Sequence, residues 1–107
     1  MAKNSQPIGC VKAATDIIGD KWTPLLIRFI ANCNQARFCQ LQDNVGGINP
    51  RTLSARLAKL EDSKIIEKTA DTNSSRSQYC LTQKGQDLVP ILRDMEEWSK
   101  RYYHDLE

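Results

Sequence analysis

A mainly α-helical fold closed by one small β-hairpin is what this sequence predicts, and three observations predict it. Apolar residues recur at three- and four-residue steps over most of the chain. Two short helical segments are separated by a tight turn at Gly46-Gly47. Directly after them come two short stretches rich in β-branched and aromatic residues, "IIEKTA" and "SQYCLT", joined by the polar, turn-forming "DTNSSR". Two helices across a tight turn, followed by a hairpin, are the signature of a winged helix-turn-helix.

The elements follow in order. Over 10–18 the apolar positions Cys10, Ala13/Ala14 and Ile17/Ile18 have helical spacing, and Gly19 ends that helix. Thr23-Pro24 is a helix start, with Thr at the N-cap and Pro at the first helical position. The "PLLIRFIA" that follows is apolar nearly all round and predicts the central buried helix. After a polar break at 32–35, "FCQLQDNV" sets Leu41 and Val45 four apart, a short amphipathic helix that Gly46-Gly47 terminates. Asn49 caps the next helix with Pro50 at its first position, and Ile48 with Leu53 forms a hydrophobic staple. Leu53, Leu57 and Leu60 then mark the inward face. The strands fall at 65–70 and 77–82. Thr82 caps a last helical region in which Leu88, Ile91/Leu92, Met95, Trp98 and Tyr102 recur, and Pro90 kinks or divides it.

The 107 residues suit a single domain over 1–107, and 40% hydrophobic with 26% charged residues argues against disorder. The longest apolar-rich run, 24–27, is far short of a membrane span, and no secretory leader is visible, so a cytoplasmic protein is expected. Cysteines stand at 10, 33, 39 and 80 with no CxxC, and His104 is the one histidine, which argues for reduced thiols and no zinc site. No metal or other cofactor is expected. No paired carboxylates, Ser/His/Asp or Cys/His constellation points to an enzyme. Net charge is only +2, but it is unevenly spread: +2 over 1–48, +3 over 49–84 and −3 over 85–107. A basic middle beside an acidic end favours a polyanionic partner.

The glycines at 46–47, followed by Pro50, Arg51 and Thr52, raise the question of a nucleotide-phosphate loop. Such a loop needs Lys and Ser/Thr directly after its last glycine and a strand before it, and neither is present. On a helical wheel with Leu53, Leu57 and Leu60 inward, Arg51, Ala55, Ala58 and Lys59 point outward and Thr52 and Arg56 flank them. Small alanines among basic side chains let a helix settle into a groove while the cations reach phosphates or base edges. The expected double-stranded DNA contacts are Arg51, Thr52, Ser54, Ala55, Arg56 and Lys59, with Asn73, Ser74, Ser75 and Arg76 from the wing. A winged-helix protein-interaction module is the rival, and the basic bias of 49–84 argues against it.

Several patterns together resemble the HxlR-type winged helix-turn-helix transcriptional regulators, relatives of the MarR group: Cys10 before the first helix, "IIGDKWTPLLI", "RFCQL", "INPRTLSARLAKLE", "YCLTQKG" and "LVPIL…M..W". The resemblance runs from Cys10 to Trp98. It implies a homodimer built by the first and last helices, reading a palindromic operator with the recognition helix at 49–62, and a wing within 65–82. Two positions depart from the pattern. The family commonly has Gly where Lys64 stands, and a left-handed residue there would cost Lys roughly 1 kcal/mol relative to Gly. A capping Ser is common where Cys39 stands, and Cys is a poorer cap.

The resemblance also implies an oxidant or small-molecule effector, since some members sense oxidants or electrophiles through a cysteine near the N-terminus, which Cys10 matches. Cys10 and Cys39 read as helix-start thiols, where the helix dipole favours thiolate. The structural alternative for each is a small buried hydrophobe. Leu88, Ile91, Leu92, Met95, Trp98 and Tyr102 are the expected dimer seam, with 91, 95, 98 and 102 near a heptad repeat.

Overall fold

The computed structural model describes residues 6–70 and 76–105, with side chains from Ile8 onward. Six helices and three short strands follow in the order α1 (Gln6–Ile18), α2 (Thr23–Cys33), β1 (Ala36–Arg37), α3 (Phe38–Asn44), α4 (Pro50–Asp62), β2 (Ile66–Ala70), β3 (Ser77–Leu81), α5 (Gln83–Gln86) and α6 (Val89–Tyr102). This is the mainly helical, winged architecture that the sequence predicts.

Helix α2 is the centre. Leu26, Ile27 and Ile30 have no exposed surface, and Leu41, Leu53, Leu57, Leu60, Ile65, Ile66 and Leu92 close around them. At roughly 1.5–3 kcal/mol for each fully buried aliphatic side chain, this cluster supplies most of the driving force for folding. The start of α2 differs from expectation. Thr23 lies inside the helix, and the capping group is the carboxylate of Asp20, whose Oδ1 accepts from the backbone amides of Trp22 and Thr23 at 2.8 Å each. The Thr23 hydroxyl instead donates to Asp20 Oδ2 at 2.6 Å. Burial pushes the Asp20 carboxyl up, but the Thr23 hydroxyl, the two amides and the positive charge of Arg56 outweigh it and hold the group below its ordinary value.

Helix α4 begins as expected: Asn49 Oδ1 accepts from the Thr52 amide at 2.9 Å, Ile48 and Leu53 are buried before and after the cap, and Leu53, Leu57 and Leu60 face inward. The turn that leads into it uses Gly47 at a φ of 81°, which favours glycine. The exit of α4 is a Schellman motif. The Ile65 amide reaches the Leu60 carbonyl at 2.9 Å, and the Lys64 amide reaches the Glu61 carbonyl at 3.0 Å. Lys64 sits at a φ of 64°, the left-handed conformation that the glycine common in the resembled family implies at this position.

Helix α5 closes that exit. The Thr82 hydroxyl donates to the Lys64 carbonyl at 2.5 Å, the Thr82 amide donates to the Ile65 carbonyl at 3.0 Å, and Lys84 Nζ donates to the Ser63 carbonyl at 2.8 Å. Gly85 packs so close that an added Cβ would lie 2.2 Å from the Ile65 carbonyl oxygen. Only hydrogen fits there. The sheet is antiparallel in the order β1-β3-β2, with Ala36 opposite Tyr79 and Ile66 opposite Leu81. Strand β1 is too short for any periodicity to reveal it, and the hairpin strands are each one residue shorter than 65–70 and 77–82 imply. Pro90 divides the last helical region, since the chain turns through Leu88 and α6 starts at Val89 with proline in its first turn.

Replacing Lys64 by glycine is expected to stabilise the protein by about 1 kcal/mol or less, because the relief at positive φ is partly offset by greater freedom of the unfolded chain. Urea unfolding of Lys64→Gly checks this; a loss of stability would contradict the exit geometry.

Candidate nucleic-acid interface

The outer edge of α4 is the candidate surface. Arg51, Ser54, Ala55, Ala58 and Lys59 are exposed, and Thr52 and Arg56 are half-buried on its flank. Because Leu53, Leu57 and Leu60 are buried on the inner face, the N-terminal turn presents Arg51, Ser54 and Ala55 together on the outer one. The amide-rich start of the helix adds partial positive charge at the same place. Among the described residues, no hydrogen bond or ion pair engages the Arg51 side chain.

Arg56 and Lys59, expected as DNA contacts, make contacts within the chain. The Arg56 Nε is buried, makes no hydrogen bond, and lies 3.5 Å from Asp20 Oδ1 as an ion pair. Lys59 Nζ donates to the Asp16 carbonyl at 2.9 Å, in the last turn of α1, where helix carbonyls lack intrahelical partners. Both cations therefore face the α1–α2 corner in this structure, for the physical reason that a carboxylate and an orphan carbonyl are supplied there.

On the wing, Arg76 is exposed just before β3, while Asn73, Ser74 and Ser75 lie outside the described residues. The pairing of β1 with β3 brings Arg37, Phe38 and Cys39 beside Arg76, Ser77 and Tyr79 around a hollow of about 370 Å³. Sequence spacing alone does not reveal this neighbourhood, because it depends on the two-residue strand β1. Lys68 lies over the Tyr79 ring with Nζ 5.8 Å from its centroid, adding a cation to the wing.

Of the two thiols expected at helix starts, Cys39 is at one and Cys10 is not. Helix α1 starts at Gln6, so Cys10 is its fifth residue, beyond the first turn, and the helix-start argument for its thiolate does not apply. It is nonetheless exposed. Cys39 is the second residue of the seven-residue α3, whose cap position is Arg37; the Arg37 amide donates to Gln40 Oε1 at 2.8 Å. Cys33 is exposed, and Cys80 is half-buried, with burial and then the negative charge of Glu67 pushing its thiol up.

The α6 seam also divides. Leu92 is 3% exposed and belongs to the core, and Leu88 packs against it, because both lie on the face turned to α2. Ile91, Met95, Trp98 and Tyr102 are about half exposed and form an apolar outer face, with Trp98 and Tyr102 rings 5.5 Å apart. The periodicity of the buried faces does not mark the exposed Ile8 and Val11 of α1 or Tyr103, and Leu25, on the helix expected to be buried, is about half exposed. The i, i+3 spacing of Ile8 and Val11 was the available signal. The Arg28–Glu96 ion pair ties α2 to α6; its hydrogen bond is the chief cause that holds the Glu96 carboxyl below its ordinary value.

Comparison with known proteins agrees with this architecture. The family model of HxlR-like helix-turn-helix proteins matches residues 17–107. An uncharacterized HTH-type transcriptional regulator of Methanothermobacter thermautotrophicus is 33% identical over 93 residues, covering 86% of this chain and 70% of the relative. Among solved structures, the redox regulator HypR in its oxidized form is 28% identical with a TM-score of 0.77, covering 85% of this chain and 94% of HypR. The crystal structure of PA1607 is 30% identical with a TM-score of 0.77, and this chain covers 83% of itself but 61% of that longer chain. Among the described residues no helix is long and apolar enough to cross a membrane. The capped α4, the tight turn before it and the hairpin after it are thus the parts of a transcriptional regulator, and the chain belongs to the HxlR-like helix-turn-helix family.

Proposed function

We propose that this chain acts as a homodimer that reads a palindromic operator in double-stranded DNA, performing no chemistry of its own, in the cytoplasm. The observation that carries the reading is the outer edge of α4: Arg51, Ser54 and Ala55 exposed on a helix whose inner face is wholly buried. Paired recognition helices would enter successive major grooves, and Arg76 with the wing, 65–82, would grip the backbone. Asn73, Ser74 and Ser75 remain the proposed wing-tip contacts. Phosphate contacts would supply most of the affinity, so binding would fall steeply with salt.

Dimerisation is supported by the apolar outer face of α6 together with Ile8 and Val11 of α1. Ile8 is 76% exposed and Trp98 53%, large apolar side chains that a second copy of the chain would cover. The effector is proposed to be an oxidant, an electrophile or a small molecule. Similarity to HypR and the exposure of Cys10 favour the first two. A groove of about 480 Å³ between α2 and α6, lined by Pro24, Leu25 and Met95, favours the third.

Three outcomes are expected. Arg51→Ala weakens binding to a mixed-sequence duplex of about 30 base pairs, three helical turns, and lowers the slope of log affinity against log salt by about one. Binding and slope equal to wild type would remove Arg51 from the interface. In sedimentation at micromolar concentration the wild type runs as a dimer and Met95→Glu as a folded monomer; a wild-type monomer would defeat the dimer. Diamide or a quinone changes duplex binding by the wild type but not by Cys10→Ser, and equal responses would exclude Cys10 as the sensor.

A further inference from the structure

The corner between α1 and α2 touches the recognition helix at two points, and both are unusual. Asp20 already accepts three hydrogen bonds that start α2, yet its Oδ1 also faces the buried Nε of Arg56 at 3.5 Å. That Nε has lost its water and gained no hydrogen bond, so the carboxylate is the partner that faces it, while about a third of the Arg56 side chain (34%) stays exposed. One turn along α4, Lys59 Nζ closes the last turn of α1 through the Asp16 carbonyl at 2.9 Å. Arg56 and Lys59 are three apart, so they lie on one side of α4 and form two struts to one corner. The core leucines fix how deeply α4 sits. Two struts off the leucine face tie the side of the helix to that corner, where they can resist its rotation and tilt.

We propose that Asp20 and the Asp16 carbonyl are positioning groups for the recognition helix: through Arg56 and Lys59 they lock α4 to the α1–α2 corner, and Arg56 serves DNA binding by holding the helix rather than by touching DNA. The proposal rests on the DNA-binding reading above and adds a consequence. Helix α1, which carries Cys10 and the exposed Ile8 and Val11, ends on the groups that orient α4. A change at α1 therefore reaches the recognition helix without passing through the wing.

The test uses the charge-neutral double variant Asp20→Asn/Arg56→Met. Asparagine keeps a cap for α2, and removing both partners leaves no unpaired charge. Binding of the full chain to a mixed-sequence duplex is measured across roughly 50–200 mM salt, with Arg51→Ala as the direct-contact control. The double variant is expected to bind roughly threefold to tenfold more weakly at every salt with the slope unchanged. Arg56→Lys, which keeps a cation opposite Asp20, restores most of the affinity. A slope reduced by about one would make Arg56 a DNA ligand and overturn the proposal, as would unchanged affinity. Amide hydrogen exchange gives a readout without DNA: α4 loses protection in the double variant and keeps it in Arg51→Ala. If the wild type bound no duplex, the DNA-binding reading would fall, and exchange alone would then judge the positioning role, with unchanged protection refuting it.

Discussion

The rest of the molecule depends on how α4 is seated. Its inner face, Leu53, Leu57 and Leu60, is buried to within 1% in the core cluster, so depth and register are set by close packing that tolerates little adjustment. Its two ends are then fixed separately. Asn49 and the Ile48–Leu53 staple hold the start, while the Schellman exit is clamped by Thr82 and Lys84 and covered by Gly85. A helix fixed this way presents one outer edge and no other. Everything proposed for the surface follows from that restriction.

The same seating explains why basic residues on one helix have different roles. Arg51 lies in the first turn, beyond the reach of the α1–α2 corner, and stays exposed. Arg56 and Lys59 lie where that corner passes, and a carboxylate with an orphan helix carbonyl meets them. A charged side chain next to a stronger local partner is not equivalent to one facing water, although both add equally to a sequence charge. The apolar residues of α6 divide by the same logic. Leu88 and Leu92 close the core, and Ile91, Met95, Trp98 and Tyr102 are left outside it.

Much of this was legible in the residues. The order of the main helices and the hairpin, the inward leucines and the Asn49 cap follow from periodicity and local turn chemistry, which act over a few residues, and the left-handed Lys64 from the glycine that the resembled family commonly has there. What escaped was non-local. Asp20 caps from three residues before Thr23 while facing Arg56 thirty-six positions away in sequence, and neither contact has a periodic signature. Strand β1 exists only because β3 pairs with it, and the close approach of Gly85 to Ile65 is visible only once α5 is docked. The start of α1 at Gln6 has no apolar signature, because apolar spacing marks a buried face and residues 8–13 of this helix are all exposed.

The central claim is that the first turn of α4, backed by the foot of the wing, is the surface that meets DNA. Titrating the isotope-labelled protein with a mixed-sequence duplex and following backbone amide shifts tests it residue by residue. The largest shifts are expected at Arg51, Thr52, Ser54 and Ala55, with a second group at Arg76 and Ser77, while Met95 and Trp98 of α6 stay in place. Shifts concentrated on α6 with α4 unmoved would contradict the account.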